Sequence, residues 1–314
     1  KVRFPVHWQL LSSLGRNHQG LSDPTLTSQN QIQMEIRNLE HTDFNTLFKG
    51  FERAFADYEI HFEKEEVRSM LQRRGYNPKL SFAAFMNDGI VAFTLNGTGT
   101  FNDIPTAYDT GTGTVKEYRG QNLAGTIFTH SIPFLRGAGI RQYLLEVLQN
   151  NKKAIAVYRR MNFEVTREFD CFRQSIEQID HRKANIDCMV ESVHSEAIRQ
   201  TQLACDFNPS WQNSIESIER GITGLTCLGA FLDGKMIGHC VFDMHTGDLS
   251  QIAVQNEYRR RGIGSRLLLE AAGKMKIDFI KVLNIDSDTS AMPAFLQSKN
   301  IPLASKQFEM VLSL

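Results

Sequence analysis

One local sequence occurs twice in this chain, and that repeat constrains the fold more than any other feature. Glu117-Tyr118-Arg119-Gly120-Gln121-Asn122-Leu123-Ala124 returns 140 positions later as Glu257-Tyr258-Arg259-Arg260-Arg261-Gly262-Ile263-Gly264. Each copy stands between an apolar, strand-like run and an amphipathic, helix-like run. A strand–turn–helix unit repeated at the spacing of a whole domain implies two related domains, and 314 residues are enough for each to bury its own core. We place the first domain at 34–175, a linker at 176–184 and the second domain at 185–314. The stretch 1–33, rich in Ser, Asn, Gln and Gly and ahead of the first methionine, Met34, reads as a leader outside the fold, non-native or disordered.

The remaining elements follow the same order in both halves. Glu35 to Leu39 is a strand, and Asp43 to Phe55 is a helix with Phe44, Leu47, Phe48, Phe51 and Phe55 at helical spacing. Ser81 to Leu95 is a hairpin, because Asn87-Asp88-Gly89 supplies the positive φ angles a tight turn needs. Thr106 to Val115 extends the sheet, and after the basic turn come a helix, a buried strand Gln142 to Leu148, a helix Asn151 to Met161 and a strand Phe163 to Phe169. In the second half, Asp233-Gly234 turns the matching hairpin, Leu249 to Val254 feeds the second basic turn, and Ile263 to Met275 is the helix after it. Strand Phe279 to Ile285, helix Ser290 to Ser298 and strand Phe308 to Leu312 close that sheet. The expected fold is mixed α/β: two tandem domains, each a mostly antiparallel twisted sheet flanked by helices, with a strand–turn–helix unit at its centre.

Thirty-five basic and 35 acidic residues leave no net charge, so no global field draws the chain to nucleic acid or to an anionic membrane. Any anion it binds is held locally. The five cysteines are scattered without a C-x-x-C pair, which argues against a disulfide framework and against zinc, and the nine histidines show no paired ligand spacing. No metal is expected, and a reduced, cytoplasmic setting fits. No apolar run approaches the roughly 20 residues that span a bilayer.

A strand that ends in a short, glycine-bearing basic turn leaves the first N–H groups of the next helix unpaired, with the helix dipole behind them, and so is suited to a phosphate. Here the chain resembles the GCN5-related N-acetyltransferase (GNAT) superfamily, whose signature is Arg/Gln-x-x-Gly-x-Gly/Ala. Arg259-x-x-Gly262-x-Gly264 matches every position, and Arg119-x-x-Asn122-x-Ala124 matches with Asn in place of the first Gly. Asn is the non-glycine residue best able to turn left-handed, so the substitution is compatible with the turn. The resemblance implies acetyl-CoA as acyl donor, with its pyrophosphate cradled by the basic turns and the cofactor bound in the first half by Val115, Arg119, Gly120, Gln121, Asn122, Leu123, Ala124 and Gly125. In the second half the same role falls to Ile252, Val254, Arg259, Arg260, Arg261, Gly262, Ile263, Gly264 and Ser265. Gly111-Thr112-Gly113 does not complete a dinucleotide fingerprint, since no third glycine follows.

Acetyl transfer to an amine requires loss of a proton from the ammonium and gain of one by the departing thiolate. The segment Leu145-Glu146-Val147 with Asn151-x-x-Ala154-x-x-x-Tyr158 resembles the branch that acetylates protein N-termini and free amines. That resemblance implies Glu146 as base, directly or through a water, Asn151 on the pantetheine arm and Tyr158 as proton donor to sulfur. A packed Tyr158 with a satisfied hydroxyl and a structurally paired Glu146 are the alternatives. The second half carries Leu296, Thr289 and Asn284 at the corresponding places. The chemistry is therefore expected in the first domain, with the second binding CoA or shaping the acceptor groove, although the inverse assignment stays open.

The implied function is N-acetylation of a primary amine, in a small molecule or at a peptide N-terminus, by direct attack in a ternary complex. The alternative is a catalytically silent acyl-CoA-binding protein. Acceptor loops are expected at Arg53 to Leu80 and Thr201 to Gly224, where Trp211, with Phe55, Tyr58 and Phe62, is placed to line a groove. The oligomeric state is not fixed by the sequence.

Overall fold

The structure is a computed structural model that describes residues 34–57, 62–182, 188–201 and 205–314, without the side chains of Gln200 and Thr201. The expected leader, Tyr58 and the end of the expected linker lie outside the described residues. The first half runs β1 (Glu35–Asn38), α1 (Phe44–Ala54), α2 (Lys64–Arg73), β2 (Phe82–Met86), β3 (Gly89–Phe101), β4 (Ile104–Thr114), α3 (Leu123–Gly137), β5 (Gln142–Leu148), α4 (Lys152–Arg160) and β6 (Glu164–Ser175). The second runs β7 (Met189–Ser192), α5 (Ser195–Thr201), α6 (Ile215–Arg220), β8 (Thr226–Leu232), β9 (Lys235–Asp243), β10 (Asp248–Val254), α7 (Ile263–Lys274), β11 (Phe279–Asp286), α8 (Ala291–Ser298) and β12 (Leu303–Ser313).

Local chemistry accounts for most boundaries. The Asp43 carboxylate accepts from the Asn45 and Thr46 amides and starts α1, which buries Leu47, Phe51 and Ala54. Both expected hairpins form, with positive φ at Asn87 and Asp88 and at Asp233 and Gly234. A third, between β3 and β4, turns at Asn102 (φ 51°) and Asp103 (φ 63°). It is hidden in the sequence because Gly97 and Gly99 interrupt the apolar pattern of β3. At Gly97 a Cβ would stand 2.0 Å from the Arg74 carbonyl oxygen, so the strand admits only glycine there.

The sheets of the two halves are one. Twelve strands pair in the order β1-β2-β3-β4-β5-β12-β6-β11-β10-β9-β8-β7. The final strand of each half has crossed to the other: β12 pairs antiparallel with β5, Phe308 opposite Val147, and β6 pairs antiparallel with β11, Arg173 opposite Lys281. This corrects the expectation that Phe308 to Leu312 closes the second sheet and that each half buries its own core. Met310 of β12 is fully buried in the core of Tyr143, Leu145, Val147, Ile155 and Tyr158, while Phe172 of β6 joins the core of Leu249, Leu267 and Ile280. The expected acceptor loops contain α2 and α6, which pack on one another across the halves.

In each half the sheet splits where two neighbouring strands run parallel. β4 and β5 pair over Thr106 to Tyr108, and β10 and β11 only at Asp248 and Lys281. Beyond these points the strands diverge toward the basic turns. None of the described helices is long and apolar enough to cross a membrane.

Candidate functional site

At the second turn, β10 passes through a short 3-10 segment, Asn256–Tyr258, to α7. Gly262 at the N-cap has φ 91° and Arg260 has φ 62°, so two left-handed residues wrap the chain around the helix start. No side chain caps α7, which leaves its first amides to solvent or a ligand. They face a cleft of about 480 Å³. Ile252, Val254, Arg259, Arg260, Gly262, Ile263, Gly264 and Ser265 line one wall, and Ala291, Met292, Ala294 and Phe295 of α8 line the other. A Cβ at Gly264 would stand 3.4 Å from the Phe295 ring, in ordinary van der Waals contact, so the ring lies against the helix start.

Arg259 faces inward. Its Nε donates to the Val254 carbonyl at 2.9 Å, and its guanidinium pairs with Asp206. It fastens the turn to the end of β10 and to the segment before Trp211, so its charge is partly neutralised. Arg261, outside the cleft lining, lies over the Tyr258 ring at 5.4 Å.

The first turn repeats this path. Gly120 (φ 83°) and Asn122 (φ 56°) occupy the two left-handed places, so Asn122 turns left-handed at the N-cap of α3. Arg119 donates from Nε to the Thr114 carbonyl at 3.1 Å and pairs with Asp57 at 2.6 Å, the counterpart of the Arg259–Asp206 arrangement. Gln121 is exposed, while Val115 and Leu123 are core residues. The difference lies above the helix start. A Cβ at Gly125 would be 2.5 Å from Asn122 Oδ1, which places the Asn122 amide over the first turn of α3.

Around Thr112 and Ala124, the counterparts of Ile252 and Gly264, the described residues enclose about 10 Å³, bounded by Phe128, Tyr143, Tyr158 and Phe163. Tyr158 is 5% exposed, packs edge-on against Phe163 at 5.5 Å, and its hydroxyl has no hydrogen-bond partner. The Thr94 hydroxyl on the same space also has none. Asp109 accepts from the Gly111 amide and the Thr112 hydroxyl, yet burial raises its carboxyl to about 7. Roughly 10–15 Å³ is the room one water needs. Asn151 caps α4, its Oδ1 accepting from the Ala154 amide at 3.2 Å.

Glu146 stands elsewhere, at the junction of the halves. It is fully buried, and its Oε2 accepts from the Tyr108 hydroxyl at 2.7 Å and from Gln212 Nε2 at 3.0 Å. Asn284, its counterpart on β11, is also buried and bonds Ser210 and Gln307. Trp211 does not line a groove: it is 1% exposed, stacks on Tyr108 at 5.3 Å and donates to the Arg74 carbonyl. Phe55 and Phe62 likewise pack in or against the core of the first half. The structure therefore gathers the second-turn residues other than Arg261 in one cleft, and separates Tyr158 and Glu146 from it and from each other.

Sequence reasoning missed the inner end of the cleft. A chamber of about 30 Å³ shares Asp206, Ile252 and Met292 with it and adds Asn213, Ser250 and Gln251. Gln251 bonds buried His239 at 3.3 Å and donates to the Asn213 carbonyl at 2.6 Å. Burial lowers His239 to about 4 against the opposing hydrogen bond of Gln251, so its imidazole is neutral at pH 7. Asn213 and Gln251 stand 38 residues apart without a motif to join them.

The sequence profile of the Acetyltransferase (GNAT) family matches residues 44–163 and again 195–296. No curated protein matches the chain by sequence. Among solved structures, a GCN5-related N-acetyltransferase from Sphaerobacter thermophilus has a TM-score of 0.65 at 13% identity, over 89% of this chain and 95% of that one. A tandem GNAT protein from the clavulanic acid biosynthesis pathway has a TM-score of 0.66 at 13% identity, over 90% and 98%. A GCN5-related glucosamine N-acetyltransferase region of a fungal multi-domain beta-N-acetylglucosaminidase also reaches 0.66 at 13% identity, over 92% of this chain and 39% of that one. At such identities the likeness is one of fold, and it spans both halves. Because the family profile matches once in each half, over stretches that include both basic turns, the chain belongs to the acetyltransferase (GNAT) family twice over.

Proposed function

We propose that this protein is an N-acetyltransferase that passes the acetyl group of acetyl-CoA to a primary amine, in a small molecule or at a peptide N-terminus, with the donor held by the second half. The observation that carries this reading is the cleft of about 480 Å³ at the uncapped start of α7. The α7 amides and the bare Gly262 suit a pyrophosphate, and Ile252, Met292, Ala294 and Phe295 offer an apolar wall to a pantetheine arm. The amine nitrogen attacks the thioester carbon directly; the C–N bond forms, the C–S bond breaks, and the amine's proton balances the thiolate. Holding both reactants in line accounts for roughly 7–11 kcal/mol in well-oriented reactions. Glu146 and Tyr158 are then structural in this chain, and the catalytic half is the inverse of the one the resemblance favours. A primary amine as acceptor accords with the glucosamine N-acetyltransferase name of one neighbour of the same fold.

One observation favours a second reading, CoA binding without turnover. The carboxylates in the cleft lining are engaged, Asp206 by Arg259 and Asp180 by Arg182 and Lys299. Isothermal titration of CoA and acetyl-CoA into wild type, Asn122→Asp and Gly262→Asp, followed by an amine panel that includes glucosamine, separates the readings. One site lost only in Gly262→Asp, with turnover of any amine, supports the enzyme. Binding lost only in Gly262→Asp with no turnover supports the silent form, and no binding to wild type overturns both.

A further inference from the structure

The second half's site is completed by a residue of the first. Arg73 is the last residue of α2, and its side chain crosses into the other half. Nη1 donates to Asp248 Oδ2 at 2.7 Å; Nη2 donates to Ser250 Oγ at 2.6 Å, to the Gln212 carbonyl at 2.9 Å and to Asn213 Oδ1 at 3.4 Å. Its own carbonyl accepts from the Ser217 hydroxyl and from Arg220 Nε, so the residue is fastened to the second half at both ends.

The acceptors are arranged around the inner chamber. Ser250 stands at the β-bulge of β10, where the pairing with β9 slips between Leu249 and Gln251. A bulge takes a residue out of the ladder and re-aims its neighbours. Asn213 belongs to the short 3-10 turn after Ser210, and its Nδ2 donates to the Leu283 carbonyl on β11 at 2.9 Å. Ser250 and Asn213 both line the chamber at the inner end of the cleft. One guanidinium thus holds the bulge, the 3-10 turn and, through Asn213, the diverging strand. Arg74 next to it treats the first half in the same way, donating to the carbonyl of Thr110, the bulged residue of β4, and to Gln212 Oε1.

The geometry points to Arg73 as a positioning residue for the acetyl group: the first half supplies the guanidinium that sets the shape of the second half's acyl chamber. This rests on the second half holding acetyl-CoA. The turn at Gly262 grips the phosphate end and does not touch Arg73, so the two ends are separable. A lysine at position 73 keeps the charge opposite Asp248 but loses the fork that reaches Ser250 and Asn213 together.

Titration of CoA and of acetyl-CoA into wild type, Arg73→Lys, Ser250→Ala and Gly262→Asp tests it, with thermal unfolding of each variant alongside. The expected result in Arg73→Lys is a CoA affinity within about 3-fold of wild type and an acetyl-CoA affinity lowered roughly 10-fold, a change in ratio that a general loss of stability does not produce. Ser250→Ala, which removes one acceptor and keeps the ion pair, shifts the ratio in the same direction by a smaller factor and decides the matter if Arg73→Lys does not fold. An unchanged ratio in the folded variants, or equal weakening of both ligands, overturns the role of Arg73 and leaves the second-half site standing. Wild type that binds neither ligand, or binding that survives in Gly262→Asp, overturns both.

Discussion

The two basic turns follow the same backbone path into different surroundings. Each has two left-handed residues, Gly120 and Asn122 in one and Arg260 and Gly262 in the other, and each fastens its signature arginine to a strand carbonyl and an aspartate. Over α7 the space opens to about 480 Å³, whereas around Ala124 the aromatic side chains among the described residues enclose about 10 Å³. Aromatic side chains from three elements, Phe128 of α3, Tyr143 of β5 and Tyr158 of α4, border the small space, whereas Ala291, Met292, Ala294 and Phe295 of α8 border the large one.

The largest expected effect breaks the symmetry of the turns. Gly262→Asp, with a carboxylate at the helix start and a side chain at φ 91°, is expected to weaken acetyl-CoA binding by roughly 100-fold or more, about 2.7 kcal/mol. Asn122→Asp is expected to leave it within about 2-fold, by titration. Equal losses in both would show two working cradles and remove the contrast.

The crossed strands give a prediction of similar size. Met310→Ala changes a second-half residue buried in the first half's core and is expected to cost about 2–5 kcal/mol. Hydrogen exchange should quicken in β5 and α4 before α7. Quickening confined to β10 and α7 would mean that the halves do not share cores.

Two buried titratable groups, one per half, respond to pH in opposite directions. Asp109 is raised to about 7 by burial, so the stability linked to its proton is complete below the unfolded carboxylate value and is lost as pH rises toward 7. His239 is lowered to about 4 by burial, so its contribution is present above the unfolded imidazole value near 6.5 and is lost as pH falls toward 4. Across its window each group changes the stability by an amount on the order of 4 kcal/mol for Asp109 and 3 kcal/mol for His239. Urea midpoints from about pH 4 to pH 8 should lose the neutral-side decline in Asp109→Asn and the acid-side decline in His239→Gln. A decline that survives its own substitution would assign it to another group.

The smallest effect concerns Tyr158. Because its hydroxyl has no partner, Tyr158→Phe is expected to change stability by less than about 1 kcal/mol and to leave turnover unaltered. A turnover loss of roughly 10-fold or more, 1.4 kcal/mol in the barrier, would return the chemistry to the first half.

Much of the architecture is local and was legible. The repeat, the Asn-Asp-Gly and Asp-Gly hairpins, the Asp43 cap and the left-handed reading of Asn122 depend on neighbours within a few residues, and all appear in the structure. The β3–β4 turn was less so, because two glycines that admit the Arg74 carbonyl and the Trp211 ring broke the strand's pattern.

The sequence by itself determined the duplicated strand–turn–helix unit, the family it belongs to and the residues at both turns, since turn conformation and helix starts are fixed by adjacent residues. Tertiary structure alone decided the rest. Whether β12 pairs with β5 or with its own half depends on edges that period-two patterning does not name. Phe128, Tyr143 and Tyr158 each read as an ordinary apolar residue of its own element, and they constrict the space only where three elements converge. Arg73 meets Asp248 across 175 residues, a pairing that no spacing announces because it is set by the packing of one half on the other.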